Sequence, residues 1–274
     1  MKFIYATDLH GDFGKYNLIK NFAVSEGISI IHLGSDLLPK GSDILRRQKN
    51  FVKMFLKDFY RECSEQGIIL MAFFGNDDVY TRKICFREYG SLLDENPVKI
   101  EGYEFKAYPY VCDYPFALKT ACKLDFRGWK RPFCQKAIDV NEKGFVEIQD
   151  IDYYLNSKTT IQEDLENFHV SKNTIIAIHM PPYNLELDVC GQYQGSSLVP
   201  GIRVGSKSIY DWISREQPLL CLSGHIHESH TVTGIWKNYI GNTLVIQPGQ
   251  MKKTKFVVIE IENSIIKAEL VELE

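Results

Sequence analysis

Apolar runs and amphipathic stretches alternate through the first third of the chain. "KFIYAT" (2–7) is a short β-rich run, "YNLIKNFAVSEG" (16–27) has helical spacing and a closing glycine, and "ISIIHLG" (28–34) is strand-like again. In "RQKNFVKMFLKDFYRECSEQG" (47–67), Phe51, Phe55 and Phe59 recur every four residues beside Val52 and Leu56, which predicts an amphipathic helix ended by Gly67. "IILMAFFGN" (68–76) then reads as a buried strand. This β-α-β-α-β order predicts a parallel sheet with right-handed crossovers. Ligands of such sheets bind outside the carboxyl ends of the strands. Each of the three runs ends in polar residues: "DLHGD", "GSD" and "GNDD".

Periodicity weakens over about 102–170, which holds the aromatic and basic stretch "LDFRGWKRP" and a polar, helical-looking run "IQEDLENFHVSKN" expected at the surface. No repeat or low-complexity linker marks a boundary, so residues 1–274 are expected to form a single domain with an insertion or elaborated edge at 102–170. Regularity returns with "TIIAIHMPP" (174–182), a buried strand ending in His and Pro-Pro. "SIYDWIS" starts a helix whose Ser208 and Asp211 have capping-box spacing, and "PLLCLSGHIH" (218–227) is the next strand. From Thr231 onward, "TVTGIW", "NYIGNTLVIQPG", "KFVVIEI" and "SIIKAELVEL" read as successive antiparallel strands. Together these predict a mixed α/β arrangement with two stacked sheets.

Composition changes this picture little. The 274 residues are 45% hydrophobic and 24% charged with a net charge of −3, a balance with no global field for nucleic acid or anionic lipid, although a local basic patch is left open. The longest apolar run, "IILMAFF", is far short of a membrane span, and the N-terminal run is too short for a signal peptide, so a cytoplasmic protein is expected. Seven cysteines without a C-x-x-C pair fit reduced thiols. Cys63, Cys85 and Cys221 read as small core filler.

The seven histidines carry more information. His225 and His227 stand two apart in "GHIH", and alternate side chains of an extended segment point the same way. Collecting the polar side chains at the ends of the predicted strands gives Asp8 and His10, Asp36, Asn76, His179, and the pair His225 and His227. Mixed oxygen and imidazole donors suit first-row divalent ions better than Ca²⁺ or thiolate-bound structural Zn²⁺. Seven ligands are too many for one catalytic ion and about right for two that share a carboxylate.

"DLH", "GSD", "GND", "IHMPP" and "GHIH" occur in the order of the calcineurin-like metallophosphoesterase motifs, and the chain resembles that superfamily over nearly its whole length. The resemblance implies a four-layer α/β/β/α sandwich with two mixed sheets. It implies two divalent ions, Mn, Fe or Zn with Mn favoured: Asp8, His10 and His227 would hold the first, Asn76, His179 and His225 the second, and Asp36 would bridge them. It also implies hydrolysis of a small phosphomonoester or phosphodiester by a hydroxide shared between the ions, attacking phosphorus in line. Two departures stand out. Ser35 separates Gly34 from the bridging carboxylate, which requires a small shift in the loop. Asp77 stands where the family has a substrate-contacting His, and a carboxylate beside a phosphate is repelled unless protonated, metal-bound or turned away. Asp77 and Asp78 occupy the family's His-acid pair as candidate catalytic residues, with leaving-group protonation by Asp77 in doubt and Asp78 expected to have lost its partner.

No covalent nucleophile is evident. "GIRVGSKS" fails the Walker pattern and reads as a rim loop plus helix cap. His32 is expected in the core or behind the ligands, His169 at the surface, and His230 in solvent, with a place behind the ligands as the alternative. "RGWKRP" reads as a solvated loop, with a cationic lip for a nucleotide as the alternative. Lys252, Lys253 and Lys255 read as a charged turn. Two other functions compete: a nuclease of the same superfamily, and a non-enzymatic protein-binding module on the same fold.

Overall fold

In a computed structural model of the chain, which describes residues 1–79, 90–93, 96–141 and 144–274, β1 (Lys2–Ala6) leads through α1 (Phe13–Ser25) to β2 (Ile30–Leu33). Helix α2 (Ile44–Phe51), a π-helical stretch (Val52–Leu56) and α3 (Lys57–Glu65) then run end to end into β3 (Ile69–Ala72). The short β4 (Ser91–Leu92) and β5 (Val98–Ile100) precede β6 (Tyr103–Tyr108). Four small strands follow, β7 (Val111–Cys112), β8 (Cys122–Lys123), β9 (Ile138–Asn141) and β10 (Gly144–Glu147), then helices α4 (Ile151–Asn156) and α5 (Ile161–Glu166). Next come β11 (Thr174–Ile178), the hairpin β12 (Val189–Gln194) and β13 (Ser197–Arg203), α6 (Lys207–Glu216), β14 (Leu220–Leu222) and α7 (Ser229–Thr233). The chain closes with β15 (Lys237–Ile240), β16 (Thr243–Ile246), β17 (Thr254–Glu262) and β18 (Ile265–Leu273).

Two six-stranded sheets carry the architecture, in the orders β18-β17-β1-β2-β3-β4 and β15-β16-β14-β11-β6-β5. In the first, β1 to β4 are parallel and β17 and β18 antiparallel. In the second, β6, β11, β14 and β16 are parallel between antiparallel edges. The strands are apolar on both faces because both faces are covered. Ile4 and Ala6 of β1 pack with Ile31, Leu33, Leu70 and Ala72 against Tyr16, Ile19, Phe51 and Phe59 of the helices. The alternate residues Phe3, Tyr5, Met71 and Phe73 point the other way and meet Phe105, Ile175, Ala177, Leu222 and Ile246 of the second sheet. On that sheet's far side, Ile176, Ile178, Cys221 and Val245 pack on Leu155, Leu165, Ile209, Trp212 and Ile213. Three apolar layers between four structural layers give the α/β/β/α sandwich that the resemblance implies, with the two stacked sheets that the sequence pattern predicts. Each fully buried large side chain contributes roughly 1.5–3 kcal/mol.

Several local expectations change. "TVTGIW" is not a strand: α7 covers Ser229–Thr233, Thr233 Oγ1 donates to Ser229 O (2.8 Å), and Gly234 at φ 73° ends the turn. β-branched residues suggested a strand there, but the side-chain bond and the glycine favour a helical turn. The final segments are not uniformly antiparallel, since β16 runs parallel to β14. Helix α6 is capped by Ser206, which accepts from Ile209 N, and not by Ser208; the buried Asp125 carboxylate takes Ser206 Oγ and Lys207 N, moving the cap back two residues. The region set apart at 102–170 begins with β6, which pairs with β11 inside the second sheet. In "IQEDLENFHVSKN" the helix is α5, with Thr160 and Glu163 forming a capping box, and Ile161 and Leu165 buried.

"RGWKRP" is an irregular loop with Arg127 and Lys130 exposed, as expected, while Arg127 pairs with Glu163, Arg131 pairs with Asp152, and Trp129 packs on the second sheet's outer core. Lys255 is buried at the start of β17, its Nζ 3.0 Å from His230 Nδ1 and 3.2 Å from Glu272, so neither Lys255 nor His230 stands in solvent. Cys63 and Cys221 are buried as expected, and Cys85 lies outside the described residues. His32 is wholly buried between the sheets against Tyr5, Phe73 and Phe105, and His169 is exposed.

Candidate metal centre

The carboxyl ends of β1, β2 and β3 in one sheet and of β11 and β14 in the other open at the same edge of the sandwich. Loops leaving β1, β2 and β3 carry Asp8 and His10, Asp36, and Asn76, while His179 directly follows β11 and His225 and His227 follow β14. One half of the site therefore comes from each sheet, and their packing brings the halves together.

Close approach of the strand ends requires glycine. An added Cβ on Gly34 would lie 2.6 Å from Thr7 Cβ, and one on Gly224 would overlap both Thr7 Oγ1 and Asp8 Oδ2. Thr7 Oγ1 donates to Asp8 Oδ2 (3.0 Å), and His225 N donates to the same carboxylate (3.1 Å). Beyond the strands the loops stay bonded: Asp8 N to Ser35 O (2.8 Å), His10 N to Asp36 O (2.9 Å), Gly11 N to Leu37 O (2.8 Å). Asp8, His10, Asp36 and His225 all have left-handed backbone, with φ of 57°, 46°, 53° and 69°. Non-glycine residues rarely adopt it, and such strain gathers at functional sites.

Three groups of donors converge. Asp8, His10 and His227 form one, Asp36, His179 and His225 a second, and His10, Asp36 and Asp77 a third; within each, one donor atom per residue lies within 4.8 Å of the others. His10 Nε2 and His227 Nε2 are 2.9 Å apart, and His227 Nε2 is 3.4 Å from Asp8 Oδ1. His179 Nε2 lies 3.3 Å from Asp36 Oδ2 and 2.9 Å from Asn76 Oδ1, and its ring centroid is 4.9 Å from that of His225. All seven residues singled out in the sequence are thus neighbours, and they fall into two subsets that meet at Asp36.

Burial and charge set the protonation of these groups. Burial outweighs the nearby carboxylates at His10, taking its pKa to about 4, and at His225, taking it to about 3, so both rings are neutral at pH 7, the form that binds metals. At His179 burial opposes the charged form, but Asp36 overcomes it and raises the pKa to about 9. Asp36 is held well below the usual carboxylate range, because His179 outweighs the cost of burial. Asp77 is pushed up to about 7 by burial and by Asp36. His10 Nδ1 is buried with no hydrogen-bond partner among the described residues. Neutral imidazoles, buried carboxylates and an orphaned ring nitrogen form a donor set that suits divalent cations.

Asp78 has found partners. Its carboxylate accepts from Leu37 N (3.1 Å), Leu38 N (2.7 Å) and Gly75 N (2.9 Å), clamping the loop of Asp36 to the loop of Asn76. Asp77 N donates to Asp36 Oδ1 (2.9 Å), and its own Oδ1 accepts from Asn76 Nδ2 (3.0 Å). Asp36 itself, after the inserted Ser35, stands in left-handed backbone at φ 53°.

Two contacting residues escaped the sequence reading. Ser35 Oγ bonds His179 Nδ1, which leaves Nε2 facing Asp36 and Asn76; the extra residue in "GSD" was its only signal. Tyr114, from the irregular region, accepts from Asn76 Nδ2 (3.2 Å) while its ring lies 5.8 Å from that of His225. Behind it, Lys119 and Asp113 form a fully buried ion pair (2.6 Å), with Lys119 Nζ 4.8 Å from the Tyr114 ring centroid. Nothing in the local sequence pattern marks Tyr114.

Two mixed sheets stacked between helices, with His, Asp and Asn donors across their shared carboxyl edge, define a four-layer α/β/β/α sandwich with a candidate metal centre at that edge. No family model matches the chain, and no curated protein is similar to it in sequence. Solved structures do share the fold. One aligns over 100% of this chain and 99% of its own at a TM-score of 0.60 and 13% identity. The protein TT1561 of Thermus thermophilus aligns over 98% of this chain and 97% of its own at 0.54 and 14% identity. A dimetal phosphatase from Danio rerio covers 100% and 99% at 0.49 and 8% identity, too loose a likeness to bear on this chain. Among the described residues no helix is long and apolar enough to cross a membrane.

Proposed function

We propose that the protein is a dinuclear metal-dependent phosphoesterase acting on a small phosphomonoester or phosphodiester. The observation that supports this reading most is the division of the donors into two three-residue groups, Asp8, His10 and His227 against Asp36, His179 and His225, with Asn76 beside the second. In this reading Asp8, His10 and His227 hold one divalent ion, Asn76, His179 and His225 the other, and Asp36 faces both. Mn²⁺ is the favoured ion. Bound ions supply Lewis acidity towards the phosphoryl oxygens and a water of lowered pKa for in-line attack.

The chain's own part is preorganisation. Ser35 fixes the His179 ring, Asp78 fixes the loops carrying Asp36 and Asn76, and Thr7 with the His225 amide fixes Asp8. Held this way, the donors need not rearrange as charge develops on phosphorus. Lys123 and Lys158 are engaged elsewhere in the fold, Lys123 with Asp164 and Lys158 with backbone carbonyls, and take no part.

The test is turnover of an aryl phosphate monoester and of the corresponding diester, with Mn²⁺, Fe²⁺, Zn²⁺ and chelator. Activity that requires a divalent ion and drops by at least about 100-fold in His10→Ala and in Asp36→Asn is expected. Ion-independent turnover, or no turnover from a folded protein loaded with two ions, would refute the proposal.

A further inference from the structure

Asp77 stands where the resemblance places a substrate-contacting histidine, and its surroundings differ from those of an acid waiting for a leaving group. Its carboxylate oxygen, a His10 ring nitrogen and an Asp36 carboxylate oxygen lie within 4.8 Å of one another. This third group shares His10 with the first and Asp36 with the second, so Asp77 faces the space between the two candidate ion positions on the His10 side. Its backbone also leans on the same carboxylate, through Asp77 N to Asp36 Oδ1 (2.9 Å). The only side-chain bond to Asp77 Oδ1 among the described residues is from the neutral amide of Asn76 (3.0 Å), and no Lys or Arg there pairs with Asp77, Asp36 or Asp8. Asp36 and Asp8 have His179 (3.3 Å) and His227 (3.4 Å) beside them, but no basic side chain among the described residues stands at ion-pair distance from Asp77, so a third charged carboxylate there is repelled unless a cation lies among them.

From this juxtaposition we infer that Asp77 is itself a metal ligand, adding a third carboxylate to the ion held by Asp8, His10 and His227. The inference rests on the dinuclear reading above and changes its chemistry. The first ion is surrounded by carboxylates of Asp8, Asp36 and Asp77 and imidazoles of His10 and His227. The second has Asp36, the Asn76 amide oxygen and imidazoles of His179 and His225. Oxygen-rich surroundings favour Mn²⁺ over Zn²⁺ relative to imidazole-rich ones, so the two positions differ in selectivity. A carboxylate engaged in this way does not serve as proton donor, and substrates with acidic leaving groups, which need none, are the class that the site favours.

The experiment is calorimetric titration of the metal-stripped full chain with Mn²⁺ and with Zn²⁺, together with metal analysis after dialysis against both, for wild type, Asp77→Asn and Asp77→His. Asn is isosteric and still accepts from Asn76, so folding and the second position are preserved; thermal melts check this. Wild type is expected to take up two ions. Asp77→Asn should weaken one of the two for Mn²⁺ by about 10-fold or more while leaving the other unchanged, and Asp77→His should shift that position towards Zn²⁺. Two ions bound by Asp77→Asn with wild-type affinities and the same Mn²⁺ to Zn²⁺ ratio would overturn the inference and leave the dinuclear reading standing. A wild-type chain that takes up no ions would overturn both.

Discussion

Gly75→Ala tests whether the bridging position of Asp36 depends on the absence of one methyl group. Gly75 has no positive φ, so its backbone accepts alanine and only space is at issue. The new Cβ would overlap Asp36 Oδ1 and lie 2.8 Å from Asp36 N and 2.9 Å from its Cγ, all closer than real Cβ contacts come. Neither partner can retreat cheaply: Gly75 N is bonded to Asp78 (2.9 Å), and the Asp36 carboxylate is bonded to Asp77 N (2.9 Å) and sits 3.3 Å from His179. A methyl forced into such a site costs about 1–3 kcal/mol, and misplacing a reactive group by about 1 Å costs on the order of 100-fold in rate. Expected results are a loss of about 1–3 kcal/mol in urea melts of the metal-stripped protein and a fall of about 10–100-fold in ion affinity by calorimetry. Gly102→Ala is the control. Gly102 has φ 86° and nothing within 4 Å of an added Cβ, so it should cost about 1 kcal/mol by backbone strain without touching ion binding. Wild-type ion affinity in Gly75→Ala would refute the argument that this contact sets the carboxylate.

Ser35→Ala removes the hydroxyl that fixes the His179 ring and should weaken ion binding by about 10–100-fold in the same titration, with a loss of about 1–3 kcal/mol in urea melts because His179 Nδ1 is left buried without its partner; unchanged affinity would count against that role. Lys119→Met leaves the Asp113 carboxylate buried without its cation, and a loss of about 3–5 kcal/mol is expected in urea melts, largely recovered in Asp113→Leu with Lys119→Met. His32 is buried with both ring nitrogens unpartnered among the described residues, and burial takes its pKa to about 3. Below its ordinary pKa of about 6.5 the unfolded chain takes up a proton that the folded one refuses until pH 3, so stability falls as pH drops through that window. Between pH 7 and pH 5 His32 contributes about 2 kcal/mol to this loss, so wild type should lose about 2 kcal/mol more over that interval than His32→Leu, which keeps the contributions of the other buried histidines; equal pH responses would refute the assignment.

What was legible in the sequence follows from how its signals are generated. Both faces of β1, β2, β3, β11 and β14 are covered, so these strands appear as unbroken apolar runs, and the polar residues that end them stand out by contrast. Asp8, His10, Asp36, Asn76, His179, His225 and His227 could therefore be collected before any fold was known, and the structure brings them together. Ser35 and Tyr114 could not, because each acts through a residue distant in sequence: Ser35 through His179, and Tyr114 through Asn76. The stretch around Arg127 is the solvated loop that was expected, with Arg127 and Lys130 exposed, but its ion-pair partners Glu163 and Asp152 could not be foreseen, since they lie on helices that pattern alone does not bring near. Segment 231–236 misled because β-branched composition reports a preference that one side-chain hydrogen bond and one glycine can override.

The conformation of the ligand loops presents a balance of terms of similar size. Left-handed backbone at Asp8, His10, Asp36 and His225 costs about 1–3 kcal/mol at each position, a sum comparable to the whole net stability of a domain. Against it stand the hydrogen bonds that continue from β1 and β2 into the loops, worth about 0.5–1.5 kcal/mol each, and the stronger ones from backbone amides to the Asp8 and Asp78 carboxylates, about 1.5–3 kcal/mol each. The two sums are of the same order, so the scaffold can hold the donors in place without help from a ligand. Relaxing the strain, by letting the chain run on as extended strand past Ala6 and Leu33, would turn Asp8 and Asp36 away from the histidines of the second sheet. Local rules are broken here and nowhere as densely in the apolar layers, which is the distribution expected where a fold gives up intrinsic preference to aim side chains at one point.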